Sequence, residues 1–308
     1  MKGRYELYRN TRKSLEKSLA YFQQAIQKDP DFAQAWAGLS DAYAFLGGNG
    51  LRPRQDSRLK QKEAALKAVE LDDTLSDAHI SLFDAGLGHE EIERAILLDP
   101  NNARAHLYHG RYLLIFVGRT NEAIAEVKHA LQLDPLNPQL RNNAGVTLYY
   151  ARRYDEAMEQ FHQVPDPDVA SRRRHRILAE IYDRKGMEKE AMAEYVTSLK
   201  FGGEEDLAAS VQRRYVSAGY SEAKHDFLWG EIREGEKRAK AGTLPENAVW
   251  IAGDYAILGE KDKAFEWLDK AFQDENRGIH LINLDDRFAG VQSDPRFHDL
   301  LRRMGIPT

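Results

Sequence analysis

At 308 residues the chain is longer than one compact core usually supports, so it is either two domains or an extended array of repeated units. Hydrophobic residues make up 42% and charged residues 30%, which is enough apolar material to fold and too much charge for a membrane protein. A net charge of −5, with Lys and Arg spread along the length, gives no overall positive field for nonspecific nucleic-acid binding, and the absence of Cys removes disulfides, thiolate nucleophiles and Cys-based zinc sites.

The amino end, MKGRYELYRNTRKSLEKS, lacks the apolar core of a signal peptide. No window reaches the roughly 18 apolar residues of a membrane span, so a cytoplasmic location without membrane contact is expected. AYFQQAIQKDPDF at 20–32 is echoed by NEAIAEVKHALQLDPLNP at 121–138, and AWAGLSDAY at 35–43 puts Trp36, Leu39 and Tyr43 on one helix. The following stretch, GGNGLRPRQDSRLKQ at 47–61, reads as a long basic loop that stretches its unit to 43 residues. From Asp73 to Pro100 the unit has only 27 residues, so its helices are clipped by about two turns and form a weak point.

Further along, the spacing becomes regular. Ala123, Ala157 and Ala191 lie 34 residues apart, and Phe161 and Tyr195 repeat at the same interval. Each alanine ends a short frame that begins with Gly or Arg: GRTNEA at 118–123, RRYDEA at 152–157 and GMEKEA at 186–191, continued by GYSEA at 219–223 and GEKDKA at 259–264. Apolar residues at helical spacing on both sides make each frame the turn of a helix pair. Small residues such as Ala123, Ala130, Ala157, Ala264 and Ala271 allow close helix approach, where a Leu would overpack at roughly 1–3 kcal/mol. Asp-Pro is expected to end one pair and open the next helix, with Asp as its cap and Pro in its first turn. After the fifth unit VPDPDVASRRRHR carries two prolines and a basic run instead.

The chain thereby resembles the tetratricopeptide repeat family, whose 34-residue pattern of Trp, Leu-Gly, Tyr, Ala, Phe, Ala and Pro is matched in pieces throughout, with EAMEQFHQV at 156–164 and KAFEWLDKAF at 263–272 as second helices. The resemblance implies an all-α, right-handed α-solenoid of about eight helix pairs that exposes a concave surface to a protein or peptide. Residues 1–243 form the solenoid, with irregular units at 31–73 and 74–100, and 244–308 hold the last unit and a C-terminal cap. In that cap Asp294 and Pro295 start a helix, Phe297, Leu300, Leu301 and Met304 share a face, and Gly305 ends it. DDRFAGVQSDPRFHDLLRRMGIP at 285–307 and KGRYELYRNTRKSLEKSLAYFQQAI near the start are similar to the two ends of repeat regions in multidomain bacterial signalling proteins, where such regions join winged-helix, cyclase or kinase domains. The resemblance implies an interaction or sensor module, either part of a longer protein or free-standing.

Catalytic chemistry has no motif to stand on. HEEIERA at 89–95 has Glu93 where a metalloprotease helix needs its second His, no GxSxG elbow occurs, and GGNG at 47–50 is not followed by Lys-Ser or Lys-Thr. His106 and His109 share a helix face without a carboxylate that the sequence places beside them. No catalytic residue, cofactor or metal is assigned. Repeat register instead selects a groove set on the first helices of the fourth to sixth units: Arg104, Arg111, Gln139, Asn142, Tyr149, Tyr150, Arg173 and Arg176. Its arginines suit an acidic or carboxylate-ended peptide, since guanidinium groups match carboxylates in shape and charge. The same arginines also fit a solvated face paired with Glu180 and Asp183, and a small-ligand receptor or enzyme using the Arg and Tyr positions is the alternative of another class. A chaperone-tail clamp is disfavoured: Asn143 and Arg173 fit two of its places, but Leu107, Arg111 and Ile177 occupy the others.

Overall fold

The computed structural model describes residues 2–166, 171–241 and 247–307. Every regular element among them is helical, and the chain divides into two compact units, Met1–Val169 and Ala170–Thr308. Unit 1 holds five antiparallel helix pairs: α1 (Lys2–Arg9) with α2 (Arg12–Lys28), α3 (Ala33–Gly48) with α4 (Arg54–Leu71), α5 (Ser76–Asp84) with α6 (Glu90–Leu98), α7 (Ala103–Tyr112) with α8 (Thr120–Leu133), and α9 (Pro138–Tyr150) with α10 (Tyr154–His162). Unit 2 holds three more: α11 (Ser171–Arg184) with α12 (Glu188–Phe201), α13 (Glu205–Ala218) with α14 (Tyr220–Lys240), and α15 (Ala248–Ile257) with α16 (Lys261–Gln273). Two 3-10 segments, Arg277–Leu284 and Asp286–Phe288, lead into the last helix, α17 (Pro295–Arg303). The count of eight pairs plus a terminal helix agrees with the repeat spacing. The expected division at 243/244 lies outside the described residues, as do residues 167–170 of the two-proline run.

The turn frames have a backbone cause. Gly118, Gly186, Gly219 and Gly259 all have left-handed φ, between 70° and 89°, and Arg152 takes the same region at 61°. That conformation reverses the chain between the two helices of a pair, and glycine reaches it without a side-chain clash. Close approach of the paired helices then explains the small residues. Ala123, Ala130, Ala157, Ala264 and Ala271 are fully buried. A Cβ on Gly38 would lie 2.2 Å from Phe22 Cε1, and one on Gly145 would lie 2.6 Å from Phe161 Cε1.

Asp-Pro works differently from the expectation. Asp29, Asp99 and Asp134 stand at the C-terminal ends of α2, α6 and α8 in extended or near-extended backbone, not at the start of the next helix. The proline excludes helical geometry at the residue before it and so ends the helix there. Asp29 and Asp99 accept from the backbone N–H two residues on, at 3.2 and 3.1 Å, which folds the turn. Asn102 and Asn137 supply the next N-caps. Asp294 does cap α17, with Pro295 in its first turn.

The stretch at 47–61 is also not a loop. Only residues 49–53 connect α3 to α4, and from Arg54 onward the run is helix. Its Arg, Gln, Lys and Leu content favours helix, and Gly47 lets the helices meet: a Cβ there would lie 2.6 Å from Ser57 Cβ. The clipped unit is as expected, with α5 and α6 of nine residues each.

In unit 2, Tyr195, Met192, Leu199 and Phe227 belong to one core cluster, to which α13 contributes a narrow buried stripe of Ala208 and Val211. The terminal helix buries Phe297, Leu300 and Leu301. Arg296 and Arg303 of α17 lie over the rings of Phe265 and Phe272 on α16, at 4.1 and 4.5 Å from the ring centres. Gly305 follows with φ 68°.

Candidate functional site

First helices carry the charge, and each unit pairs it internally. In unit 1, Arg104 on α7 donates from Nη2 to Asp41 Oδ1 on α3 at 2.7 Å and from Nη1 to Asp77 Oδ1 on α5 at 3.4 Å. Arg4 on α1 pairs with the same Asp77. Because α1 contacts both α3 and α9, this row of alternating charges lies beneath it, away from water. Burial outweighs the pull of Arg104 and raises the Asp41 carboxyl above its usual range, whereas Asp77, also buried but between two guanidinium groups, is held below it.

The remaining unit 1 positions divide between surface and interior. Arg111 is half-buried, 5.6 Å from the Tyr108 ring centre, and Gln139 is half-buried. Asn142 is buried. Tyr149 and Tyr150, expected to line a groove, are only 4% and 6% exposed and meet edge to face at 4.9 Å, with Tyr154 beside them. The reason is local: α9 is buried nearly all round, so helical period alone does not single out one face.

Unit 2 repeats the theme more densely. Arg176 is 1% exposed, donates to Asp254 Oδ1 at 2.6 Å and to Glu180 Oε1 at 3.0 Å, and lies 4.6 Å from the Phe227 ring centre. Asp254 and Glu180, although the guanidinium is buried, raise its pKa. Glu180 thus takes an arginine as the sequence allowed, but Asp183 binds Tyr220 and Lys224 instead. Arg172 donates from Nη2 to Glu204 at 3.1 Å and to Glu231 at 2.6 Å, and Arg238 joins Glu204 at 2.7 Å. Burial and the neighbouring Glu231 push Glu204 up to about 7; Glu231 is also buried, yet Arg172 and Arg176 hold it low. Arg173 is half-buried, and its Nε has no hydrogen-bond partner among the described residues.

Sequence reasoning missed Asp77, Glu204, Glu231 and Asp254. The available signal was weak: Asp41 and Asp254 both stand one or two residues before the Tyr of a YAFLG or YAILG stretch. His106 and His109 do meet a carboxylate, Glu126 of α8, at 2.6 and 3.4 Å. Among the described residues no group of three or more His, Cys, Asp or Glu is arranged to hold a metal ion, and no helix is long and apolar enough to cross a membrane.

Stacked antiparallel helix pairs with a 34-residue period define a helical-repeat protein. Residues 117–181 match the tetratricopeptide repeat model, and the helix pairs before and after that stretch have the same helix-turn-helix build. Among curated proteins it is similar to transcriptional regulator HilA of Salmonella typhimurium, 29% identical over 169 residues, which cover 51% of this chain and 30% of that one. It is also similar to human superkiller complex protein 3, 26% identical over 62% of this chain and 12% of that one. The chain therefore spans well under half the length of these relatives. Among solved structures a human IFIT1 dimer with m7Gppp-AAAA superposes with a TM-score of 0.54 at 18% identity, covering 85% of this chain and 68% of that one, a likeness of fold. Tetratricopeptide folds are generally non-catalytic scaffolds.

Proposed function

We propose that the chain is a non-catalytic protein- or peptide-binding module of a bacterial regulatory protein, acting in the cytoplasm. The observation that carries this reading is the repeat match at 117–181 in a chain that is also 29% identical, over about half its length, to a bacterial transcriptional regulator. Helix-pair stacks offer an extended surface for binding and no pre-formed reaction centre. The partner is an acidic or carboxylate-ended protein segment rather than nucleic acid. Of the positions selected by register, Arg111 and Gln139 keep exposed surface within unit 1 and Arg173 does so within unit 2, each offering a contact of its own. Within those units Arg104 is taken up by Asp41 and Asp77, and Asn142, Tyr149, Tyr150 and Arg176 are buried.

Affinity capture from a lysate of the source organism, followed by cross-linking, tests this. Cross-links are expected near α7, α9 or α11, and Arg111→Ala and Arg173→Ala should each weaken capture without lowering Tm. Cross-links confined to second helices would refute the assignment. A second reading, a receptor for a small charged ligand or an enzyme, is favoured by one observation: Arg176 Nη1 and Asp254 Oδ2 are buried with no hydrogen-bond partner among the described residues. A rise in Tm with a small amino acid or phosphate, lost in Asp254→Asn, would support that reading over the first.

A further inference from the structure

Charge is unevenly divided along the chain. Residues 1–62 contain twelve Lys and Arg against six Asp and Glu, whereas the remainder contains 32 against 43. Most of the early acids are already engaged. Asp41 is buried under Arg104, Glu6 is buried beside Arg9, Glu16 is held by Arg52 at 2.6 Å and Asp56 by Lys60 at 2.9 Å. Arg12, Lys13 and Lys17 of α2 are exposed and have no ion-pair partner among the described residues.

These cations also stand where helix stability disfavours them. Every other second helix has at least one acid in its first turn: Asp56, Glu90, Glu122, Asp155, Glu188, Glu222 and Asp262 among them. Such acids suit the positive end of the helix dipole. The first turn of α2 has none and carries Arg12 and Lys13. Its geometry is nonetheless well fixed by a reciprocal cap, in which Ser14 N–H donates to Thr11 Oγ1 at 3.1 Å and Thr11 N–H to Ser14 Oγ at 2.9 Å. The basic corner is therefore rigid and unneutralised, and its charges do not serve the helix.

We propose that this corner, formed by Arg12, Lys13 and Lys17, unpaired among the described residues, and flanked on α1 by Tyr5 and by Arg9, which also meets Glu6 at 3.6 Å, docks a short acidic segment of a partner protein. The proposal rests on the interaction-module reading and adds to it a second place on the chain, besides the Arg111, Gln139 and Arg173 positions, where an acidic segment binds. Tyr5 is 65% exposed and lies one helical turn from Arg9 on the same side of α1, adding apolar contact to the charge. A short segment is favoured over a long nucleic acid because exposed charges act over about 10 Å in ~0.1 M salt. A ligand confined to the corner meets cations, whereas a strand running beyond it meets the acidic remainder of the chain.

Fluorescence anisotropy with labelled octaglutamate, and with an octathymidylate of similar charge, tests the assignment on the whole chain. Octaglutamate should bind more tightly than octathymidylate, and its affinity should fall as salt rises from ~50 to ~300 mM. The variant R12E/K13E/K17E should weaken octaglutamate at least about tenfold, with R12Q/K13Q/K17Q intermediate. Neither should lower Tm, since taking cations away from the start of α2, or putting acids there, suits the helix dipole. Equal octaglutamate affinity of wild type and charge-reversed chain overturns the proposal. So does tighter octathymidylate binding that the reversal removes, which would give the corner to nucleic acid. Loss of octaglutamate in Arg173→Ala but not in the α2 variants would leave the module reading standing and remove this corner from it.

Discussion

Unit 2 is expected to become more stable on mild acidification, contrary to the usual behaviour of a protein with many paired carboxylates. The main cause is the Glu204 and Glu231 pair around Arg172, and Asp254, pushed up to about 6 by burial despite Arg176, adds in the same sense. With burial and Glu231 raising Glu204 from 4.5 to about 7, the folded chain binds a proton that the unfolded chain releases near pH 4.5. A folded pKa above the unfolded one gives stability that is full below the unfolded value and lost as pH rises through the folded value. Between pH 7.5 and pH 5 the gain is about 2 kcal/mol, allowing for the two carboxylates titrating as a pair. Below roughly pH 4.5 the trend reverses, because Glu266, held at about 2 by Lys263 and Lys270, and Glu231, held low by arginines despite its burial, must then be protonated. The assay is urea unfolding followed by tryptophan fluorescence, since Trp229, Trp250 and Trp267 lie in unit 2 and only Trp36 in unit 1. With a slope of about 1–3 kcal/mol per molar urea, the midpoint should move up by roughly 1 M from pH 7.5 to pH 5. Glu204→Gln, a neutral mimic of the protonated acid, should reduce that dependence to the part due to Asp254 and raise the midpoint at pH 7.5. A midpoint at pH 5 equal to or below that at pH 7.5, or an unchanged slope in Glu204→Gln, would refute the reasoning.

Phe161→Ala should cost about 3–5 kcal/mol because the ring is 1% exposed, whereas Trp36→Ala should cost less, roughly 1–3 kcal/mol, because Trp36 is half-buried; equal midpoints in urea would contradict this placement. Gly38→Ala should destabilise by roughly 1–3 kcal/mol, since the new methyl meets the Phe22 ring, and a Tm within error of wild type would show that ring to be displaceable. Deleting 293–308 uncovers Phe265, Phe272 and Phe288 and should shift the chain to larger species in size-exclusion chromatography as concentration rises. Elution like the intact chain would make α17 a passive tail.

The repeat period, the turn frames and the cap were legible because each is set by residues near in sequence. The frame glycines answer a local φ requirement, and Asp294, Pro295 and Gly305 define α17 with no help from elsewhere. The charged faces were not legible, because their partners are distant: Arg104 and Asp41 are 63 residues apart, Arg176 and Asp254 are 78 apart. Sequence register told which helix each arginine stands on. It did not tell that a first helix, packed between its own partner and its neighbours, has little free face left for a ligand. The run at 47–61 failed for another reason, since glycines at 47 and 48 read as loop signals when Gly47 is needed for contact with Ser57.

One regularity was hidden because it lives in a donor rather than in a residue type. The first-helix position of the family's Trp holds Trp36 in the second pair, then His79, His106 and Arg141 in the next three. Each of these unlike side chains reaches the backbone carbonyl six residues earlier with a ring or guanidinium nitrogen: Pro30, Asp73, Pro100 and Pro135, at 2.8, 2.8, 2.9 and 2.7 Å. That carbonyl lies in the turn between pairs, where no helix ladder supplies a donor, and an unpaired backbone acceptor there is costly. Substitution of Trp by His or Arg therefore keeps the bond that fixes one pair against the next. It also adds a second one. His79, His106 and Arg141 turn their remaining nitrogen to Glu91, Glu126 and Gln160 on the second helix of the same pair, at 2.5, 2.6 and 2.6 Å. His175 and Glu194 continue the series in unit 2 at 2.5 Å. Residues that read as scattered histidines and surface glutamates are thus one recurring clasp, conserved in its hydrogen-bond geometry along the chain while its side chains change.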